Sequence, residues 1–402
     1  MAGPMSGINV VDLGFWVAGP SCAGVLADWG ASVVKVEPLT GDPFRGMTVY
    51  KAAVTRELVN PPFEMDNRGK RSIGLDHRTE QGRAVLRRLI DRADVLVSNL
   101  RVGALERAGL DPLVLTAEQP RLVYACVTGL GMSGPERDRA AYDMGSFWSR
   151  AGVAAALTPD GTALPYQRGG MGDHMTGVAA AGAIAAALFE RERTGRGQIV
   201  STSLLRMGAF VMSWDLSINL RTGLETRPWT RSTAPNPLIV DYGASDGKRF
   251  WLLGLEGDRH WPAILRAVDR LDLVDDPRFA DLFARTAHNG ELVAILDEVF
   301  RTKTRAEWID IFDRDGVWWA PVQATHELPL DEQAVASGCF VDVPDGVGGA
   351  HPGVASPVDF SVSTWEPSGP APELGQHTEE LLLELGYDWD AIVELKEAGA
   401  VT

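Results

Sequence analysis

The chain is poor in the groups that build disulfide frameworks, metal sites and membrane spans. Its 402 residues include three cysteines, Cys22, Cys126 and Cys339. They are far apart and odd in number, which fits a reducing, cytoplasmic compartment. No cysteine pair has metal-site spacing and no two of the seven histidines form an H-x-x-x-H pair, so no metal is expected. No apolar run reaches the ~18 residues a membrane span needs. The opening Met1-Ala2-Gly3-Pro4-Met5-Ser6 has neither a basic n-region nor an apolar h-region, so no signal peptide is expected. Positive charge is also scarce. There are 38 basic and 54 acidic side chains, for a net charge of -16. That argues against a nucleic-acid partner but leaves room for a small polyanion in a local basic pocket. What is present, 45% hydrophobic and 23% charged residues, suits a soluble globular protein with a large core. The length calls for two domains.

Organisation follows from apolar runs and their stops. Ile8-Asn9-Val10-Val11-Asp12-Leu13 reads as a buried strand ended by Gly14. Pro20 to Trp29 has helical spacing and closes at Gly30, and Val33 to Glu37 is a second strand stopped by Pro38. This βαβ unit implies a parallel sheet. The alternation continues with a helix over Gln81 to Arg92 and strands at Val95–Val97 and Leu122–Val127, so a doubly wound, Rossmann-like sheet is expected. An alanine-rich helix is expected over Val178 to Arg191, and a long apolar helix through about Leu220. The expected organisation is a large domain over 1–221, a proline-bearing linker over 222–238, a smaller α+β domain over 239–325 with a strand from Phe250 to Leu255, and a segment over 326–402. Within it, 340–372 reads as hairpins or loops, and helices are expected at Thr378–Leu385 and Trp389–Ala398.

Among candidate functional residues, Asp173 stands out. It lies in Gly170-Met171-Gly172-Asp173-His174-Met175-Thr176-Gly177, ahead of the alanine-rich helix. Flanking glycines leave its carboxylate sterically open, as a nucleophile requires. The competing reading is an N-cap for that helix. Gly129-Leu130-Gly131-Met132-Ser133-Gly134 matches G-x-G-x-x-G after a strand, but Pro135-Glu136-Arg137-Asp138-Arg139 follows instead of an apolar helix, so it reads as a decoy. The turn Gly14 to Pro20 also lacks the dinucleotide fingerprint and reads as an ordinary crossover. Arg68, Lys70 and Arg71 share a loop, and Arg101, Arg107, Arg137 and Arg139 follow strands of the same sheet. Two readings stand side by side for these cations, phosphate holders and solvated surface charge.

Taken together, these segments resemble the class III CoA-transferase family, which includes formyl-CoA transferase and carnitine CoA-transferase, with α-methylacyl-CoA racemase as a relative. The matching stretches include Val11-Asp12-Leu13 with Ala18-Gly19-Pro20, Val34-Lys35-Val36-Glu37-Pro38, Asn67-Arg68-Gly69-Lys70-Arg71-Ser72, Ser98-Asn99-Leu100-Arg101, Gly172-Asp173, Asp275-Asp276-Pro277-Arg278-Phe279 and Leu374-Gly375-Gln376-His377-Thr378. The likeness runs from about residue 7 onward. It implies an interlocked homodimer, a Rossmann-like domain that holds coenzyme A, a small domain over the site, and a C-terminal segment, 326–402, that returns to the large domain. It also implies acyl-CoA and a carboxylic acid as substrates. Asp173 falls on the family's catalytic aspartate. Val17, Ala18, Leu75, Asp76, His77, Arg78, Asn99, Leu100, Arg101, Arg107, Arg139, Tyr142 and Asp143 fall where the family contacts CoA, Arg139 to Asp143 as one run.

Two departures refine that expectation. The racemase branch has a histidine in a G-H-D segment, where this chain reads Ala140-Ala141-Tyr142-Asp143. A phenol with unperturbed pKa near ~10 is a poor base at pH 7, which favours transfer over racemisation. The glycine-rich lid of formyl-CoA transferase is not evident, Gly254-Leu255-Glu256-Gly257-Asp258 standing in that region, so small acids such as oxalate are not carried over. The chemistry expected is attack of Asp173 on a thioester to give an anhydride and then an aspartyl-CoA thioester, without ATP or metal. The amides of Gly169, Gly170 and Gly172 are candidates to steady the oxyanions. The alternatives are an acyl-CoA racemase with His174 as the nearest second base, a NAD(P)-dependent dehydrogenase, and a non-catalytic CoA-binding paralogue.

Overall fold

A computed structural model describes residues 3–47 and 60–402. The chain forms two compact units. One comprises Met1–Ala155, Leu164–Glu225 and Ala336–Thr402, the other Ala156–Ala163 and Thr226–Val335.

The first unit is built on six parallel strands, β1 (Asn9–Leu13), β2 (Ser32–Glu37), β3 (Arg71–Gly74), β4 (Val95–Ser98), β5 (Val123–Thr128) and β6 (Ile199–Ser203), in the order β3-β2-β1-β4-β5-β6. The Val-rich strands β1, β2, β4 and β5 are buried on both faces, as parallel strands under helices must be. One apolar core sits between the sheet and helices Ala18–Asp28 and Met171–Thr194. The other lies on the opposite face, beneath Glu80–Asp91 and the C-terminal helices Thr378–Glu384 and Trp389–Glu397. Growth of the sheet reverses between β1 and β4. In such sheets, ligands bind in the crevice at the carboxyl ends of the strands flanking that reversal.

Three local readings change. Arg71 and Ser72, taken as the end of a cationic loop, open strand β3 (Arg71–Gly74). The alanine-rich helix begins at Met171 instead of Val178 and runs to Thr194. The long apolar helix is two, Leu204–Val211 and Ser213–Thr222, after strand β6. The edge of β3 is finished by the far end of the chain. Leu75 bridges Val401, Asp76 N–H donates to Ala400 O at 2.9 Å, and Thr402 N–H donates to Gly74 O at 3.1 Å.

The second unit holds an antiparallel sheet of β7 (Asp241–Gly243), β8 (Arg249–Leu252) and β9 (Trp319–Val322), with helices Gly257–Ala267, Asn289–Phe300 and Arg305–Asp315. Its core is aromatic, with Tyr242, Phe250, Phe300, Trp308 and Phe312 in mutual ring contact. A hairpin of β10 (Phe340–Pro344) and β11 (Ala350–Val354) belongs to the first unit. Among the described residues, no helix is long and apolar enough to cross a membrane.

Candidate active site

The turn after β1 is held by three side chains, one from β2, one from the loop after it and one from just past β4. Asn99, just past β4, accepts from Phe15 N–H at 2.9 Å and donates to Phe15 O at 2.6 Å. Asp42 accepts from Trp16 N–H at 3.1 Å. Lys35 of β2, fully buried, donates to Gly14 O at 3.0 Å and to Asp42 at 2.9 Å. These bonds hold Trp16 at φ 63°, a left-handed conformation that a bulky side chain rarely adopts. The turn is therefore a built structure, not an ordinary crossover. It presents Trp16 edge-on to Tyr142 with ring centroids 5.8 Å apart.

Asp173 lies in the first turn of the Met171–Thr194 helix. The N-cap is Gly170, in the left-handed conformation at φ 73° and without a side-chain cap, so Asp173 is not the cap. The glycines have other work. A Cβ at Gly172 would stand 2.2 Å from Asp143 Oδ1 and 2.3 Å from Phe147 Cγ, so only glycine allows this approach. The Gly172 N–H donates to Asp143 Oδ2 at 2.9 Å. Asp143 Oδ1, also buried, has no hydrogen-bond partner. A Cβ at Gly170 would stand 2.9 Å from His174 Cε1 and 3.6 Å from Val17 Cγ1, which brings the β1 turn against the start of this helix. Further along, a Cβ at Gly177 would stand 2.2 Å from Ser21 Oγ, so the two long helices of this face touch closely.

Charge around Asp173 is unbalanced toward the negative. Its carboxyl is half-buried and accepts no hydrogen bond among the described residues. Desolvation, then the Asp143 carboxylate and more weakly Asp66, push its pKa up to about 7, against a lowering pull from His174. His174 is nearly half exposed, and its Nε2 lies 3.0 Å from Asp66 Oδ1. Burial pulls the imidazole pKa down, but the bond to Asp66 and the charges of Asp66, Asp173 and Asp143 outweigh it, leaving it raised. Asp66 is only 3% exposed and its Oδ2 is unpartnered.

The structure gathers Val17, Ala18, Asn99, Tyr142, Asp143 and Asp173 at the reversal of the sheet. Leu100 and Arg101 follow Asn99, and Arg101 donates to Asp138 O at 3.2 Å. Arg107 ends the adjoining Val102–Arg107 helix, exposed and without an acidic partner among the described residues. Arg139 is exposed and ion-paired to Glu136. Leu75, Asp76, His77 and Arg78 lie at the same edge but beyond β3, where Arg78 pairs with Asp76 at 2.8 Å. The phosphate-holding reading fails for Arg68, Lys70 and Arg71. Arg68 is buried on Asp28 at 2.6 Å, Lys70 on Asp12 at 2.9 Å, and Arg71 pairs with Glu380 and Glu384. The Gly172 amide is already donated to Asp143, while those of Gly169 and Gly170 meet no acceptor among the described residues. No helix follows Gly134, as expected of a decoy. Sequence reasoning missed the role of Asp66, whose neighbours in sequence are cations but whose bond is to His174.

These features coincide with what comparison with known proteins finds. The sequence matches the model of CoA-transferase family III over residues 5–378. It is 30% identical over 397 residues to (R)-2-hydroxy-4-methylpentanoate CoA-transferase of Clostridioides difficile, covering 99% of each chain. It is 31% identical to cinnamoyl-CoA:phenyllactate CoA-transferase of Clostridium sporogenes, covering 98% of this chain and 96% of that one. The crystal structure of a CAIB/BAIF family protein from Brucella suis superposes with a TM-score of 0.83 at 32% identity, covering 96% of this chain and all of that one. The chain belongs to CoA-transferase family III. It is an enzyme of that class, whose members act on CoA thioesters and carboxylates.

Proposed function

We propose that this enzyme moves CoA from an acyl-CoA donor to a carboxylic acid acceptor with Asp173 as nucleophile. The observation that carries the reading is the unpaired Asp173 carboxyl beside the β1 turn, at the reversal of the sheet. The carboxylate attacks the thioester carbonyl, forming an aspartyl–acyl anhydride and releasing CoA thiolate. The thiolate attacks the aspartyl carbonyl, giving aspartyl-CoA thioester and the free donor acid. The acceptor carboxylate attacks that thioester, and the thiolate released then attacks the acceptor carbonyl, regenerating Asp173. Bonds and charge balance at each step. In this reading the Gly169 and Gly170 amides steady the oxyanions, and Arg101 and Arg107 meet the CoA phosphates.

The acyl group is proposed to be apolar. Val17 stands against Gly170 at the start of the Asp173 helix, Trp16 of the same turn meets Tyr142 edge-on, and the two relatives above act, by name, on a branched-chain and an aromatic acid. A homodimer is part of the same reading, supported by the exposed apolar side chains Phe189, Phe210, Trp214 and Leu220 on neighbouring helices.

The test is chemical. With acyl-CoA and hydroxylamine present, Asp173 should become a hydroxamate on its tryptic peptide, since thioesters and anhydrides react and a free carboxylate does not. Asp173→Asn should lose transfer by roughly a thousandfold or more while still binding CoA. Absence of a mass change at Asp173, together with exchange of the substrate α-proton in deuterated water, would replace transfer by racemisation.

A further inference from the structure

Asp173 has an electrostatic difficulty that its reaction does not remove. It must be ionised to attack, yet it is half-buried and follows Gly172, whose N–H binds Asp143, and among the described residues no donor meets the Asp143 Oδ1. Among the described residues the charged groups that act on it are few. Asp143 comes from the segment before the widened π-type turn Met144–Arg150, Asp66 from the helix Pro61–Asn67, and His174 from its own helix. The Ala18–Asp28 helix contributes only neutral groups at the contact, Ser21 and the backbone of Ala18 and Cys22 against Gly177. Lys35 and Lys70, which act on Asp66 from a distance, are committed to Asp42 and Asp12. The cation available to Asp173 is therefore His174.

His174 is set up for that charge by its surroundings. Its Nε2 lies 3.0 Å from Asp66 Oδ1. Asp66 is itself fixed, since its backbone oxygen lies 2.7 Å from where a Cβ at Gly24 would stand. The ring lies over Gly170, where a side chain would meet its Cε1 at 2.9 Å. Glycine at 24 and at 170 thus makes room for one acid–imidazole pair beside Asp173. We infer that His174, held by Asp66, is a cationic positioning residue that keeps the neighbouring Asp173 carboxylate ionised for attack on the thioester. The inference rests on Asp173 being the nucleophile.

The experiment is the pH dependence of kcat/KM in the wild type and three variants, with hydroxamate trapping at Asp173 measured alongside. His174→Gln should move the acid limb upward by about one pH unit, so that activity falls about tenfold at pH 6 and returns to near wild type at pH 9; Asp66→Asn removes a like charge together with the anchor of the imidazole, so its effect is read on the His174 resonance. His174→Lys keeps the cation and should keep the wild-type limb. The His174 Cε1 proton resonance, assigned by its loss in His174→Gln, should titrate above ordinary imidazole and fall back in Asp66→Asn. A uniform loss at all pH values in His174→Gln, with an unmoved acid limb, would overturn the role of His174 while trapping at Asp173 still held. Absence of trapping in the wild type would remove the nucleophile and this inference with it.

Discussion

At the scale of the residue, the Asp173 carboxyl sets the pH behaviour of activity and of stability in opposite senses. Activity needs the ionised form, so kcat/KM should fall as pH drops through about 7. Asp143→Asn removes a like charge yet keeps an oxygen for the Gly172 N–H, and should move that limb to lower pH; an unmoved limb in the same profiles would contradict it. For stability, the folded pKa lies above the unfolded one, so the native state binds more protons between them. Stability contributed by this site is present below pH 4 and is lost as pH rises through about 7. Asp173→Asn, which carries no such charge, should therefore be more stable than the wild type at pH 8 by up to about 4 kcal/mol, reduced by the solvent that reaches the half-buried group. Urea denaturation at pH 5 and pH 8 checks the sign. The neighbouring glycine acts by volume. Gly172→Ala should cost about 1–3 kcal/mol by overpacking against Asp143 and Phe147, read as a lowered melting temperature. The position of Asp173 was legible from its glycine-flanked motif, but the reason for the glycines was not. They give close approach to Asp143, Phe147 and His174 instead of open space, and only three-dimensional packing reveals that.

At the scale of the element, the β1 turn is the part most dependent on distant residues. Asn99→Ala leaves both Phe15 backbone groups without their partner and releases the strained Trp16. It should weaken CoA binding by about 1–3 kcal/mol, measured by calorimetry, with a smaller effect on kcat. Beneath the turn, Lys70→Met would leave Asp12 charged and uncompensated in the core. A loss of about 3–5 kcal/mol is expected from denaturant titration. Strands β1, β2, β4 and β5 were readable because Val-rich runs of four to six residues between stops have few other fates, whereas the Ile-Val-Ser-Thr-Ser of β6 was not read as a strand. Strand β3, Arg-Ser-Ile-Gly, was not, because its hydrophobic signal is one isoleucine and its pairing is supplied by β2. The early start of the Met171–Thr194 helix was hidden for a related reason. Gly, His and Thr are indifferent helix formers, and contact at Gly172 and Gly177 decides the boundary. The cations of 68–71 misled because burial, which reverses the meaning of an Arg or Lys, leaves no local mark.

At the scale of the whole molecule, the proposed dimer has a direct test. Mass photometry at nanomolar concentration should show dimer alone, since an interlocked pair separates only by partial unfolding. Trp214→Glu, at a position 79% exposed in the single chain, should produce monomer or insoluble protein. Persistence of the dimer in that variant would take Trp214 out of the interface. The closure of β3 by Leu75–Val401, Asp76–Ala400 and Gly74–Thr402 bears on synthesis. A ribosome delivers β1 to β6 before residues 375–402, whose bonds to Ser72, Gly74 and Asp76 line the β3 edge. Until that segment has emerged those bonds are unmade, and the edge is a surface for a chaperone to guard or for another nascent chain to join.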